Sequence, residues 1–300
     1  MEERYRHLNN YYKNKFGERV LKICVDGGFT CPNRDGKCGV GGCVFCGEKI
    51  QENRLSIVNQ IQKHLDSYRG QRANKFIVFF QNFTNTYDTI ENLKKRYDEA
   101  VNASDKIVGL SIATRPDCIN EEVVKLISSY KEKYYVQVEL GFQTANEKTA
   151  VLINRGYKNN VFINAVNLLN KYDIDVVVHI MVGLLNETKD DVVDTVKFLN
   201  KYNIAGVKIH STFVTKNTKL CELYENKKYT PLLLDEYINC ATEILTLLSP
   251  NIVIHRISGD APKNDLVAPE WNLHKKLILN GIDKLMREKD MYQGQFYKND

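Results

Sequence analysis

Residues 175–200 read DVVVHIMVGLLNETKDDVVDTVKFLN. An apolar, β-branched run (175–182) passes into the polar loop GLLNET, and a helical period takes over at 188–202. This strand–loop–helix unit recurs along the chain. Further strand-like runs are RVLKICVD (19–26), KFIVFF (75–80), KIVGLSIA (106–113), YYVQVELG (134–141), GVKIHST (206–212) and NIVIHRIS (251–258). Helical stretches lie between and after them at about 50–69, 88–102, 120–132, 159–172, 231–248 and 271–289. Such continuous β-branched runs suit parallel strands covered on both faces. Repeated βα units predict an α/β fold, either an open doubly wound sheet or a partial (β/α)6-type TIM barrel. The loops favour the barrel. The cysteine-rich loop follows the first strand, QNFTNTY the second and TRPD the third, and FQT, GLLNET, HSTF and HRISGDAP follow the rest. The polar signatures thus sit at strand C-terminal ends, where barrel active sites form. No linker or repeat interrupts the chain, which reads as a single domain, 1–300, with a barrel core at about 15–260 and a C-terminal helical extension at about 261–300.

With 43% hydrophobic and 26% charged residues the chain reads as a soluble globular protein. MEERYRHLNN carries no apolar secretory segment, and runs such as FIVFF and VVVHIMVGLL are too short to span a membrane. A cytoplasmic protein without a membrane partner is expected. In that compartment clustered cysteines are metal ligands more often than disulfides. The net charge of +5 permits a nucleic-acid partner without requiring one.

TCPNRDGKCGVGGCVFCG (30–47) is the richest chemistry, since Cys24, Cys31, Cys38, Cys43 and Cys46 fall within 23 residues. Its glycines let the backbone wrap closely around a ligand. A structural zinc site would want four ligands, usually in two pairs, and only the pair Cys43–Cys46 is present. A thioredoxin-like pair would leave the third cysteine without a task. An iron–sulfur cluster held by three thiolates keeps one iron open and suits the spacing best. All three readings stand on spacing alone. Cys24 lies in the strand pattern and reads as a buried thiol; Cys118, Cys221 and Cys240 read as core or surface thiols.

The combination CPNRDG…GGCVFC, FFQNFTNTY, GLSIATRPDCI, VELGFQT…INRG, HIMVGLLNET and HRISGDAP…APEW resembles the radical S-adenosylmethionine (radical SAM) enzymes. More narrowly, it resembles a small bacterial group related to the radical SAM domain of the Elongator catalytic subunit. The likeness covers about Lys15 to Met286. It implies a [4Fe–4S] cluster on Cys31, Cys43 and Cys46, with Cys38 the rival to Cys31, because the family's C-x-x-x-C-x-x-C is expanded here. It also implies S-adenosylmethionine (SAM) bound at the open iron, an electron donor such as flavodoxin or ferredoxin, and hydrogen-atom abstraction from substrate.

The resemblance suggests roles for single residues. Thr84 and Asn85 stand where the family binds the methionyl amine. Gln143 and Arg155 match a pair in coproporphyrinogen dehydrogenases, which gives them the ribose hydroxyls and the SAM carboxylate. Glu139 would replace an acid that is Ala113 in this chain, or pair with Arg115. Met181 and Gly183 would lie against adenine. His210, His255, Arg256 and Asp260 cluster near the last strand ends as substrate-side candidates, and Trp271 reads as a packing anchor. Elongator-like enzymes modify wobble uridines of tRNA, so a tRNA substrate is implied. This sequence of 300 residues is not expected to include the acetyltransferase domain of that subunit. Rearrangement or trimming of a uridine side chain is therefore expected rather than the whole Elongator reaction. The alternatives are a radical SAM enzyme acting on a protein or small metabolite, and a zinc-stabilised, non-catalytic RNA-binding module.

Overall fold

The β-branched runs form strands β1 (Val20–Val25), β2 (Lys75–Phe80), β3 (Ile107–Thr114), β4 (Tyr135–Gln143), β5 (Asp175–Val182) and β6 (Gly206–Ser211). A two-residue strand β7 (Val214–Thr215) precedes β8 (Val253–Arg256), and β9 (Leu266–Ala268) follows. The structure is a computed structural model and describes residues 3–47 and 53–298. The helices are α1 (Leu8–Phe16), α2 (Ile57–Leu65), α3 (Ile90–Val101), α4 (Glu121–Ser129), α5 (Glu147–Leu152), α6 (Asn159–Lys171), α7 (Lys189–Asn200), α8 (Lys219–Glu225), α9 (Leu234–Leu247) and α10 (Lys275–Glu288). The helix expected from residue 50 starts at Ile57, and its first expected positions, 50–52, lie outside the described residues.

Seven strands pair in the order β1-β2-β3-β4-β5-β6-β8, every neighbour parallel. The order follows the chain, as expected when each crossover helix returns the chain to the same sheet edge. The sheet curls into a half-barrel. Side chains demonstrate the curl. In a flat sheet β1 and β4, three strand spacings apart, would stand about 14 Å from each other, yet Lys22 Nζ on β1 reaches Glu139 Oε1 on β4 at 2.7 Å.

The outer face of the sheet carries Ile23, Val78, Leu110, Val138, Val178 and Ile209, packed under the helices in one core that also takes in Ile278 and Met286 of α10. The inner face departs from the expectation of strands apolar on both sides. Lys22, Cys24, Ser111, Gln137, Glu139, His179, Lys208 and His210 alternate with the outward apolar residues, so the concave face is polar and charged. Helix α1, unforeseen in the sequence, plugs the N-terminal end. Its Tyr12 is 1% exposed and donates from its hydroxyl to Gln137 Oε1 at 3.1 Å. At the other end β7 and β9 form an antiparallel ribbon. Trp271 is an anchor there, its indole N–H donating to Leu232 O (3.1 Å) and its ring 5.2 Å from that of Tyr237.

Candidate active site at the mouth of the half-barrel

The loop after β1 builds a nest of thiols. Arg34 and Asp35 N–H groups donate to Cys31 O (2.9 and 3.2 Å), and Gly42 N–H to Asn33 O (2.8 Å). Val44 N–H donates to Ile153 O (3.0 Å) and Cys46 N–H to Cys43 O (2.9 Å), which ties the second half of the loop to the segment after α5. The Asn33 amide donates to Cys43 Sγ (3.7 Å) and the Arg34 guanidinium to Cys46 Sγ (3.4 Å). Donors aimed at sulfur are what a cluster's thiolates require.

Burial, helped by the neighbouring Cys46 and Cys31, pushes the Cys43 thiol up to about 12 against the pull of Arg115 and the Asn33 hydrogen bond. Cys31, Cys43 and Cys46 therefore share one electrostatic site. Cys38 does not. An antiparallel bridge between Asp35 and Val40 carries it outward on a small hairpin. There it is exposed and lines, with Tyr87, Asp117 and Cys118, a separate cavity of about 1090 Å³. Among the described residues no three His, Cys, Asp or Glu side chains converge on a single ion. A cubane bonds its thiolates to separate irons and needs no such convergence.

Gly42 holds this loop with a φ of +76°, and a Cβ there would stand 2.9 Å from Arg34 Nε. Gly42→Ala should cost about 1–2 kcal/mol for the left-handed backbone and displace the guanidinium that donates to Cys46. Iron bound per chain after anaerobic reconstitution is expected to fall, while Gly36→Ala, whose Cβ would meet nothing within 4 Å, should retain more.

The residues expected to meet SAM fare differently. Thr84 and Asn85 are fully buried after β2, and Thr84 Oγ1 and Asn85 Oδ1 have no hydrogen-bond partner. The Asn85 amide N–H groups are spent on Phe80 O (3.1 Å) and Ala113 O (2.7 Å), which leaves its Oδ1 to accept, and the Thr84 hydroxyl can accept beside it. Two orphaned buried acceptors fit an ammonium group. Gln143 ends β4 with a φ of +67° beside a register shift, packed against Gly141, where a Cβ would meet its Nε2 at 2.9 Å.

Arg155, expected at the SAM carboxylate, is engaged elsewhere. Its guanidinium is 1% exposed and already donates to Phe142 O (3.0 Å), Thr144 O (2.7 Å), Tyr157 O (3.0 Å) and Asn159 Oδ1 (2.9 Å), with Glu147 at 3.6 Å. It staples the chain after β4 and would have to break those bonds to hold a carboxylate. Arg34 apart, the cation beside the thiols is Arg115 of TRPD, which Cys43 and Cys31 both influence, while Cys43 also acts on Arg155. Arg115 pairs with Asp117 (2.7 Å), not with Glu139.

Met181, two residues after His179 on β5 and so on the same face, pairs in register with His210. Gly183 has a φ of +85°, and a Cβ there would meet Leu232 Cγ at 3.0 Å. Its close approach is thus to Leu232.

Glu139 is the hub of the inner face. It is fully buried and accepts from Lys22 (2.7 Å), Ser111 Oγ (2.7 Å), Gln137 Nε2 (3.0 Å) and Lys208, with His179 Nε2 at 2.7 Å. Burial alone would raise its carboxyl, but Lys208, Lys22 and the His179 hydrogen bond hold it well below the usual carboxylate range. Burial pushes Lys208 down to about 8 and His179 down to about 4, in both cases against the pull of Glu139. His210 lies 5.1 Å from His179, ring to ring, with Nε2 unpartnered.

His255 instead turns toward Tyr12 and the closed end, with its ring 6.4 Å from that tyrosine and its Nδ1 unpartnered. Arg256 pairs with Asp260 (2.7 Å), which also meets Lys275 (3.1 Å), so this pair fastens the last loop to α10. Of the four substrate-side candidates, His210 lies beside His179, Arg256 pairs in register with Lys208 and acts on both Lys208 and His179, and His255 feels Lys22 and Glu139 from the closed end. Cys24, expected to be buried, is exposed on the inner face, and Lys208, Arg256 and Lys22 all influence it. Lys22, His179 and Lys208 were missed. Their signal was the alternation of Lys22 and Cys24 on β1 and of Lys208 and His210 on β6, with His179 the one polar residue inside the β5 run between Asp175 and its end.

A family profile described as the radical SAM superfamily matches residues 31–199, beginning at Cys31, and a Radical_SAM C-terminal domain profile matches residues 204–288. The uncharacterized protein YtqA of Bacillus subtilis (strain 168) is 37% identical over 99% of this chain and 94% of its own. The tRNA uridine(34) acetyltransferase of Dehalococcoides mccartyi (strain CBDB1) is 29% identical over 53% of this chain and 35% of its own. The solved archaeal Methanocaldococcus infernus Elp3 with its N-terminus deleted superposes with a TM-score of 0.67 at 21% identity, over 91% of this chain and 64% of that one. The chain thus spans about a third of the acetyltransferase and just under two thirds of the solved Elp3.

Proposed function

The chain belongs to the radical SAM superfamily, and from that premise we propose that it cleaves SAM reductively and abstracts a hydrogen atom from the side chain of a tRNA wobble uridine. The superfamily's cofactors are a [4Fe–4S] cluster and SAM. When bound they supply a 5′-deoxyadenosyl radical, which attacks whatever C–H bond is held against it. The chain's own task is position and exclusion of water.

The observation that carries this reading is the shared site of Cys31, Cys43 and Cys46 at the mouth of the half-barrel, with donors from Asn33 and Arg34 on its sulfurs. Those thiols would hold the cluster. Thr84 Oγ1 and Asn85 Oδ1 would accept from the methionyl amine, and Gln143 would meet the ribose hydroxyls. Glu139 keeps Lys22 and Lys208 in place along the wall of the cavity. The tRNA assignment is supported by likeness to the uridine(34) acetyltransferase, and a rearranged or trimmed side chain is the product class we favour.

The test has two arms. Anaerobically reconstituted protein given dithionite and SAM should release 5′-deoxyadenosine. Nucleosides from tRNA of cells lacking the gene should show an altered wobble uridine, restored by the wild-type gene. Cleavage with an unchanged nucleoside profile would move the substrate to a protein or small metabolite.

A further inference from the structure

The outer side of the cysteine loop carries aliphatic side chains where water should be. Val40 is 79% exposed and Val151 77%, with Leu152 at 46%. They form one patch. Asn154 joins them, its side chain donating to Val40 O (3.3 Å) and Gly42 O (2.7 Å) and its backbone N–H to Val151 O (3.0 Å). Lys148, Val151 and Leu152 stand at i, i+3 and i+4 of α5, on one helix face. Single exposed aliphatics are ordinary, but contiguous ones rimmed by charge mark a place of contact.

The rim is mainly basic. Lys148 lies on α5 and Lys158 immediately precedes α6, both exposed, and Lys37 tops the hairpin that presents Val40, exposed with its ammonium 5.1 Å from the Tyr87 ring centre. Of the nearby acids, Glu147 is engaged, accepting from Asn159 N–H (2.7 Å) and lying 3.6 Å from Arg155. Asp35 is the other.

The patch also touches the thiol site through the backbone. Val40 lies between Cys31 and Cys43 in the loop, and Val44 N–H donates to Ile153 O (3.0 Å), one residue beyond Leu152. From outside the barrel, this is the surface directly behind the proposed cluster ligands.

We propose that this patch docks the protein that delivers the electron, a small acidic one-electron carrier of the ferredoxin or flavodoxin class. The proposal rests on the radical SAM reading above. One electron leaves the reduced carrier and enters the oxidised cluster; no bond or proton moves. Electron-transfer encounters use small interfaces, and a few aliphatic side chains within a basic ring suit an acidic carrier that must dock and leave quickly. RNA would be met by aromatic or arginine-rich surfaces, which the patch lacks.

The test compares two reductants on the reconstituted holoenzyme. Val151→Asp and Lys148→Glu should slow SAM cleavage driven by reduced flavodoxin by about tenfold or more, equivalent to about 1.4 kcal/mol of docking energy, and leave cleavage driven by dithionite unchanged. Val40→Asp should do the same. If it lowers both rates it has disturbed the loop, and the α5 variants decide. Added salt should slow the flavodoxin-driven reaction of the wild type selectively. Flavodoxin-driven rates unchanged in both α5 variants overturn the proposal. So does a loss of tRNA binding at an intact flavodoxin-driven rate, which would give the patch to RNA. Absence of dithionite-driven cleavage in the wild type would instead sink the proposed function.

Discussion

Cys43→Ala is expected to yield a folded but colourless protein that binds no cluster and releases no 5′-deoxyadenosine, whereas Cys38→Ala stays brown and active. The contrast follows from where the two thiols lie. Cys43 is enclosed, receives the Asn33 amide on sulfur and is influenced by Cys46 and Cys31. Its thiol is pushed up to about 12, so in the metal-free chain it stays protonated near neutrality and acts as a small apolar group. Losing one sulfur there removes a ligand while the loop keeps its backbone bonds, and near-native circular dichroism should confirm the fold. Cys38 stands on the hairpin beyond the Asp35–Val40 bridge, facing Tyr87 and Cys118. Cys31→Ala and Cys46→Ala should behave like Cys43→Ala in iron content, visible absorbance and product. An active Cys31→Ala protein beside an inactive Cys38→Ala protein would reverse the ligand assignment and leave the fold standing.

Much of this was legible in the chain. The strand runs were found to within a few residues because β-branched continuity is a strong local signal, and the parallel order followed from their alternation with helices. The cysteine loop was legible because its residue types carry their chemistry wherever they fold. What sequence did not give was direction. Arg155 has the right fork for a carboxylate, yet three backbone carbonyls that converge only in the folded state claim it. Cys24 sits in a strand between Ile23 and Val25, and only the curl of the sheet turns it into the open lumen. Helix α1 has no side-chain cap at His7 and little apolar content beyond Tyr11, Tyr12 and Phe16. It exists because the closed end of the barrel needs a plug.

The second large effect is expected at Glu139, and it is one of stability. Glu139→Gln leaves Lys208 and Lys22 buried near a group that can no longer balance them, and breaking a buried ion pair from one side costs about 3–5 kcal/mol. For a domain of this size the metal-free protein should melt roughly 10 °C lower. Pairing the change with Lys208→Met should recover part of the loss, because it removes one of the stranded charges, and the double-mutant cycle measures the coupling.

The pH dependence identifies the cause. Glu139 titrates lower in the native protein than unfolded, so its stabilisation is full above the ordinary carboxylate range and is lost as pH falls through it. His179, held near 4, and His210 and His255, held well below their ordinary value, also bind protons more readily when unfolded. The wild type should therefore weaken from about pH 6.5 downward, first through the histidines and then through the carboxylate. The stability gap between wild type and Glu139→Gln should hold from about pH 5 to about pH 8, where Lys208 begins to lose its proton, and narrow below about pH 5, as the unfolded wild-type carboxyl takes up its proton. Chemical denaturation across that range measures the gap directly. A gap that stays constant to pH 3 would mean that the substitution acts through packing and not through the charge at the centre of the barrel.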